Sequence, residues 1–159
     1  MDVTVLVERT LLIRKIENGT VIDHITAGYA LDVLRILGIR GREGNVISIA
    51  MNVPSRKMGK KDIVKIEDRE LSPGEVDRIA LISPNATINI IRDFVVADKK
   101  RVSLPETIIG IVRCSNSACV SNGKEPVTSQ LDVVQREPLL LRCHYCGTII
   151  EKEDVLKQF

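Results

Sequence analysis

Cys114-Ser115-Asn116-Ser117-Ala118-Cys119, followed after 23 residues by Cys143-His144-Tyr145-Cys146, decides how the C-terminal part of the chain folds. Each short pair forms a knuckle that points two thiolates the same way. Two knuckles brought together by a β-hairpin make a tetrahedral four-sulfur site of the kind zinc prefers. Small polar residues fill the first loop, and Gly147 follows the last cysteine. Such residues let backbone N–H groups turn toward the sulfurs. Four protein ligands leave no position for water, so the expected ion is structural and not catalytic. Two disulfides or four free buried thiols are the competing readings, and the spacing and a reducing compartment favour the metal. His144 lies between two ligands, but four cysteines already suffice.

Working outward, the text around the cysteines is β-rich: Ile108 to Arg113, Val127 to Val134, Leu139 to Arg142 and Thr148 to Ile150. This predicts a small all-β, rubredoxin-like or zinc-ribbon-like domain over residues 104–159. Lys99-Lys100-Arg101 followed by Pro105 reads as the linker before it. Upstream, residues 10–23 are β-branched and alternating around Asn18-Gly19, which predicts an extended segment or tight hairpin. Thr26 is placed to cap a helix to about Leu37, with Ala27, Ala30, Leu31, Leu34 and Leu37 on one face and Gly38 ending it. Val46 to Val53 reads as a strand, Pro54 to Lys61 as a basic loop, and Ile63, Val64 and Ile66 as part of a second strand. Ser72-Pro73-Gly74-Glu75 is a helix start with a capping box, and that helix ends before Pro84. Thr87 to Ile91 and Phe94 to Val96 close the unit. The order β-α-β-β-α-β plus a short strand is the ferredoxin-like, split βαβ pattern over residues 1–103, giving an α+β chain.

Composition limits the function. Of 159 residues, 44% are hydrophobic and 28% charged, a soluble globular mixture. Aromatics are 3% with no Trp, so Ile, Val and Leu must fill a modest core that benefits from a metal staple. Residues 1–103 carry 17 Lys/Arg against 14 Asp/Glu, and residues 104–159 carry 6 against 7. Neither half is a nucleic-acid surface by charge. Tyr145 is the single aromatic among residues 104–146, which weakens the alternative of a zinc-ribbon nucleic-acid-binding protein. No uncharged apolar run approaches the roughly 20 residues of a membrane span. Asp2, Glu8 and Arg9 break up the N-terminus, which does not read as a signal peptide. A cytoplasmic location is expected. There is no Walker loop or dinucleotide fingerprint. Asp23-His24 could form an acid/base pair, but no motif sets a nucleophile or second acid beside it, and by itself the pair reads as structural.

Several segments together resemble one family. Gly19-Thr20-Val21-Ile22-Asp23-His24-Ile25, Met58 through Glu67, Ser83-Pro84-Asn85-Ala86-Thr87-Ile88-Asn89 and Ser103-Leu104-Pro105-Glu106 are similar to signatures of the aspartate carbamoyltransferase regulatory chain. The four cysteines follow in the expected place. The likeness runs from about residue 10 to the end, and Met1 to Arg9 look like an extension. The resemblance implies a non-catalytic chain whose N-terminal domain binds nucleotide effectors, CTP or ATP with UTP as a further candidate, and pairs with a second copy. It implies a zinc domain, with one Zn²⁺ on Cys114, Cys119, Cys143 and Cys146, that docks on the catalytic chain. Two catalytic trimers and three regulatory dimers would make a heterododecamer acting in pyrimidine biosynthesis. By the same resemblance, Lys99 and His24 match phosphate neighbours, and Asp23 and Lys65 match ribose neighbours. Ile13, Ile16 and Val96 match an apolar wall, and main-chain groups around Ile16 and Phe94 would meet the base. Arg14 and Lys15 are more basic than in some relatives, and Gly147 stands where some carry an acidic residue.

Overall fold

The computed structural model describes residues 15–159. The expectations placed on residues 1–14, including Ile13 and the extension Met1 to Arg9, lie outside the described residues. Among the described residues the N-terminal sheet has five antiparallel strands: β1 (Gly19–Thr26), β2 (Ile47–Ser55), β3 (Gly59–Glu67), β4 (Thr87–Arg92) and β5 (Val95–Arg101). Their spatial order is β2-β3-β1-β4-β5. Helix α1 (Ala30–Ile36) joins β1 to β2, and α2 (Pro73–Ile82) joins β3 to β4. This is the split βαβ arrangement with β5 added at one edge.

Period-two alternation gives the sheet two different faces. Ile22 pairs with Val64 and Ile88 across neighbouring strands, and all three are buried in the core with residues of both helices. Gly19 starts β1 where a side chain cannot fit: a Cβ there would come within 2.1 Å of the Ile66 carbonyl oxygen.

The helices are set by their ends. In α2, Ser72 and Glu75 form the expected capping box with Pro73 in the first turn. Helix α1 ends in a Schellman motif. Gly38 N–H donates to the Arg35 carbonyl, Ile39 N–H donates to that of Leu34, and Gly38 takes φ 71°. Its start corrects the sequence reading. Thr26 lies in β1, and the carboxylate of buried Asp62 on β3 accepts from Gly28 and Ala30 N–H instead. A long-range cap of this kind leaves no local signature. Leu31, expected on the apolar face, is 59% exposed.

Two further expectations are corrected. The basic segment Pro54 to Lys61 is mostly strand, because β2 and β3 meet in a hairpin through Ser55 and Gly59. Lys99-Lys100-Arg101 is not a linker but the end of β5, paired with β4.

The second sheet contains β6 (Thr107–Ile109), β7 (Gln130–Gln135), β8 (Leu140–Cys143) and β9 (Ile149–Glu151), antiparallel and in that order. The strands at Ile108 and Val127 are shorter than their apolar text suggests. A helix that the sequence reading missed, α3 (Lys152–Leu156), follows β9 with Glu151 and Asp154 forming its capping box. Val102, Leu104 and Val155 belong to one continuous cluster with the cores of both sheets, and Arg136 donates to the Leu104 carbonyl at 2.6 Å.

Candidate metal centre and charged sheet face

The four cysteines converge. Cys143 ends β8, Cys146 lies in the turn to β9, Cys119 precedes a 3-10 turn (Val120–Asn122), and Cys114 follows β6. Their sulfurs all lie within 4.8 Å of one another. Cys114 and Cys146 are 3.5 Å apart and Cys119 and Cys143 3.7 Å apart. Zinc–sulfur bonds of about 2.3 Å in a tetrahedron require sulfurs about 3.8 Å apart. A disulfide requires about 2.05 Å, and none of the four cysteines is bridged.

The surroundings fit a cation-bound thiolate cluster. Asn116 N–H donates toward Cys114 Sγ at 3.5 Å, and hydroxyls of Ser121 and Thr148 lie 3.2 and 3.1 Å from Cys119 and Cys146. Asn122 Nδ2 donates to the carbonyls of Cys114 and Asn116, both at 2.8 Å, and so fixes the first loop. Burial pushes the Cys114 thiol up to about 12, whereas hydrogen bonding from Thr148 brings exposed Cys146 down to about 6. Four thiolates this close repel one another, and a bound cation is what makes their common deprotonation favourable.

The second constellation lies on the sheet face opposite the main core. Lys65 on β3 pairs with Val21 on β1, Val21 with Asn89 on β4, and Asn89 with Lys99 on β5. These residues form one row. Two residues further along, Asp23 pairs with Thr87 and Thr87 with Arg101, making the next row on the same face. In the other direction Gly19, Ile91 and Val96 form a more apolar row. Consecutive rows are about 7 Å apart, two strand residues at about 3.4 Å each.

A bulge sets the Asp23-His24 pair. Ile22 pairs with Val64 and Ile25 with Asp62, so β1 carries one extra residue there. His24 takes φ 55°. Both Ile22 and Ile25 thereby stay in the core, while Asp23 and His24 remain partly accessible. The His24 ring nitrogen Nδ1 lies 3.1 Å from Thr87 Oγ1. Asp23 accepts from His24 N–H at 2.6 Å and holds Lys61 Nζ at 2.9 Å. Burial lowers the His24 pKa, with Asp23 raising it and Lys61, Lys57 and Lys99 lowering it further. Burial also lowers that of Lys65 against the pull of Asp23.

Lys65, Asp23, His24 and Lys99 thus share one face. Val96 joins them at the apolar end, exposed, and Ile16 is buried. Phe94 forms the tip of the β4–β5 turn with Asp93, both at positive φ, as a two-residue type I′ hairpin requires. Its N–H donates to the Glu17 carbonyl. Sequence reasoning passed over Arg101, Asn89, Lys61 and Lys57. Reading Lys99-Lys100-Arg101 with period two would have put Lys99 and Arg101 on one face and Lys100 on the other.

Comparison with known proteins gives matches along nearly the whole chain. The family model of the aspartate carbamoyltransferase regulatory chain, allosteric domain, matches residues 11–103, and that of its metal binding domain matches residues 106–156. A chain named aspartate carbamoyltransferase regulatory chain from Hyperthermus butylicus is 58% identical over 149 residues, covering 93% of each chain. One of the same name from Methanothrix thermoacetophila is 57% identical, covering 89% of this chain and 92% of its own. Another from Thermofilum pendens is also 57% identical, covering 95% and 96%. No helix among the described residues is long and apolar enough to cross a membrane.

Proposed function

The chain belongs to the family of aspartate carbamoyltransferase regulatory chains, and from that footing we propose that it carries nucleotide control to a catalytic chain through two working surfaces. Residues 1–103 form the effector domain and residues 104–159 the docking domain. The observation that carries the effector reading is the row Lys65, Val21, Asn89 and Lys99 with Asp23 and His24 beside it.

That face changes character in the order a nucleotide does. Its apolar end, with Ile16 and Val96, suits the base, together with main-chain groups near Ile16 and Phe94. Lys65 and Asp23 suit the ribose hydroxyls. Lys99 and His24 suit phosphates, Lys99 as a mobile ammonium and His24 as a group that gains a proton near neutral pH. The effectors are CTP and ATP, with UTP a further ligand of the same class.

The cysteine cluster holds one structural Zn²⁺, whose bonds stabilise the docking domain when the ion is bound. The chain has no catalytic role of its own. It pairs with a second copy, and three such pairs join two catalytic trimers in the cytoplasm. An effector shifts the complex only by its difference in affinity between the two allosteric states.

Reconstitution with the catalytic chain tests this reading. The chains should co-elute, and aspartate saturation should shift when CTP, UTP or ATP is added. Failure to co-elute, or a saturation curve that no nucleotide moves, would contradict it.

A further inference from the structure

The two halves of the cysteine cluster are held in different ways. The Cys143–Cys146 half is part of the sheet. Cys143 N–H donates to the Thr148 carbonyl, His144 N–H to that of Gln130 and Gly147 N–H to that of Cys143, each at 2.9 Å. Cys114 and Cys119 lie outside the strands. Gly110 N–H reaches the Ser129 carbonyl at 2.9 Å. Beyond it, the main chain of residues 111–123 bonds to no main-chain group of another segment among the described residues.

One side chain bridges that gap. Gln158 Oε1 accepts from Arg113 N–H at 2.8 Å, and Gln158 Nε2 donates to the Arg113 carbonyl at 2.7 Å. A primary amide that closes both bonds on one residue does what a neighbouring strand does in a hydrogen-bonded antiparallel pair. Its stem is anchored, because Val155 and Leu156 of α3 are buried in the core just before it.

We propose that Gln158 is a positioning residue for the metal centre: it clamps the Cys114–Cys119 half in place, and that half is the one that opens first. This rests on the zinc reading above and adds which side of the centre lets the ion go and what holds it shut.

Arg113 directly precedes Cys114, so the clamp acts one residue from a ligand. Apart from contacts with the sulfurs of Cys143 and Cys146, its two bonds are the only hydrogen bonds that join residues 111–123 to the rest of the described chain. Buried Val112 fixes the stretch before the clamp, while Asn122 ties the loop only to itself. A cavity of about 620 Å³ lined by Cys114, Ser115, Asn122, Asp154 and Gln158 lies on this side of the cluster. It gives a chelator or a thiol reagent its approach. Cys146 is more exposed, but its turn is closed by the sheet bonds above.

Two measurements on the full-length chain decide it. The variant is Gln158→Leu, which keeps bulk and removes both bonds, and Lys157→Gln is the neighbouring control. The first measurement is the rate of zinc transfer to a chelator. Loss of an outer contact that orients a ligand is expected to speed transfer about tenfold in Gln158→Leu, and the control should match the wild type. Opening one loop exposes little surface, so the faster rate should depend weakly on urea. Release through unfolding of the whole sheet rises steeply with urea instead. The second measurement is a short pulse of alkylating reagent read by mass spectrometry, in which Cys114 should gain label in Gln158→Leu ahead of Cys143. A gain in rate that only follows the steep urea dependence, or labelling of Cys143 first, would overturn the clamp. If zinc is present and transfers at the same rate in both chains, the zinc reading stands and the clamp falls. If the fresh chain holds no zinc and takes none up, the zinc reading falls and the pulse alone decides the clamp. Selective gain at Cys114 then keeps it, and equal label at both cysteines, or none at Cys114, sinks it.

Discussion

The ammonium of Lys152 sits 3.8 Å from the centre of the Tyr29 ring. Lys152 opens α3, beyond the cysteine-bearing sheet, and Tyr29 immediately precedes α1 beside the N-terminal sheet. The contact therefore ties the two parts of the chain together. Burial lowers the Lys152 pKa, while Glu137, Asp32 and Glu153 raise it. A partly desolvated cation over an aromatic face is worth about 1–2 kcal/mol. Lys152→Met keeps an unbranched apolar stem and removes the charge. It should lower stability by about 1 kcal/mol in urea unfolding, with Lys152→Arg close to wild type. Equal losses in both variants would mean that packing, and not charge, makes this contact.

Asp62 replaces a local helix cap. Its carboxylate accepts from Gly28 and Ala30 N–H at 2.9 and 3.0 Å and from Asn52 N–H at 2.8 Å. Asp62→Ala removes the partner of one buried donor, Ala30 N–H, and of two donors on exposed residues, Gly28 and Asn52, and should cost about 1–3 kcal/mol, the penalty for one buried donor left unpaired. Chemical denaturation checks this. A loss under about 1 kcal/mol would show that water or other groups satisfy those donors.

Effector binding should strengthen as pH falls. His24 starts below its ordinary pKa because it is buried and faces Lys61, Lys57 and Lys99, with Asp23 opposing and Arg101 on the same cavity wall. A bound polyphosphate adds negative charge and raises that pKa, so binding takes up a proton. The sign follows: the gain is complete below the pKa of the free chain and disappears as pH rises through the pKa of the bound one. Calorimetry of CTP across this range should show proton uptake that His24→Gln reduces. The phosphate's own titration is common to both chains and cancels in the comparison. Identical pH profiles for the two would remove His24 from the phosphate end.

Fresh chain should contain one zinc ion for each cysteine cluster. Cys119→Ser should lose the ion and the fold of residues 104–159, because the cluster and the Leu131, Leu141 and Ile150 core are built on the same strands. Elemental analysis combined with circular dichroism reads both. A metal-free chain with an intact second sheet would contradict a structural ion.

Much of this was legible in the sequence because the signals were local. The cysteine knuckles, the Ser72–Glu75 capping box and Gly38 all act within a few residues of where they stand. The two-sheet α+β organisation followed from them. What escaped was non-local. Asp62 caps a helix from 32 residues beyond its first residue, Ala30, so Thr26 looked like the cap. The charge of Lys99-Lys100-Arg101 suggested a linker, although pairing with β4 makes it strand. The grouping of Lys65 with Lys99 depends on strand order, which places β1 and β4 between them.

Calorimetric titration of CTP and ATP into the Lys99→Ala chain tests the account most directly. Lys99 lies on β5 between the apolar row at Val96 and the row that ends at Arg101, and the loss of one charge-assisted contact weakens binding by about ten- to a hundredfold. The prediction is that both nucleotides lose affinity by that factor while zinc content and assembly with the catalytic chain are kept. Unchanged CTP and ATP affinities in Lys99→Ala would place the effector site somewhere other than this face of the sheet.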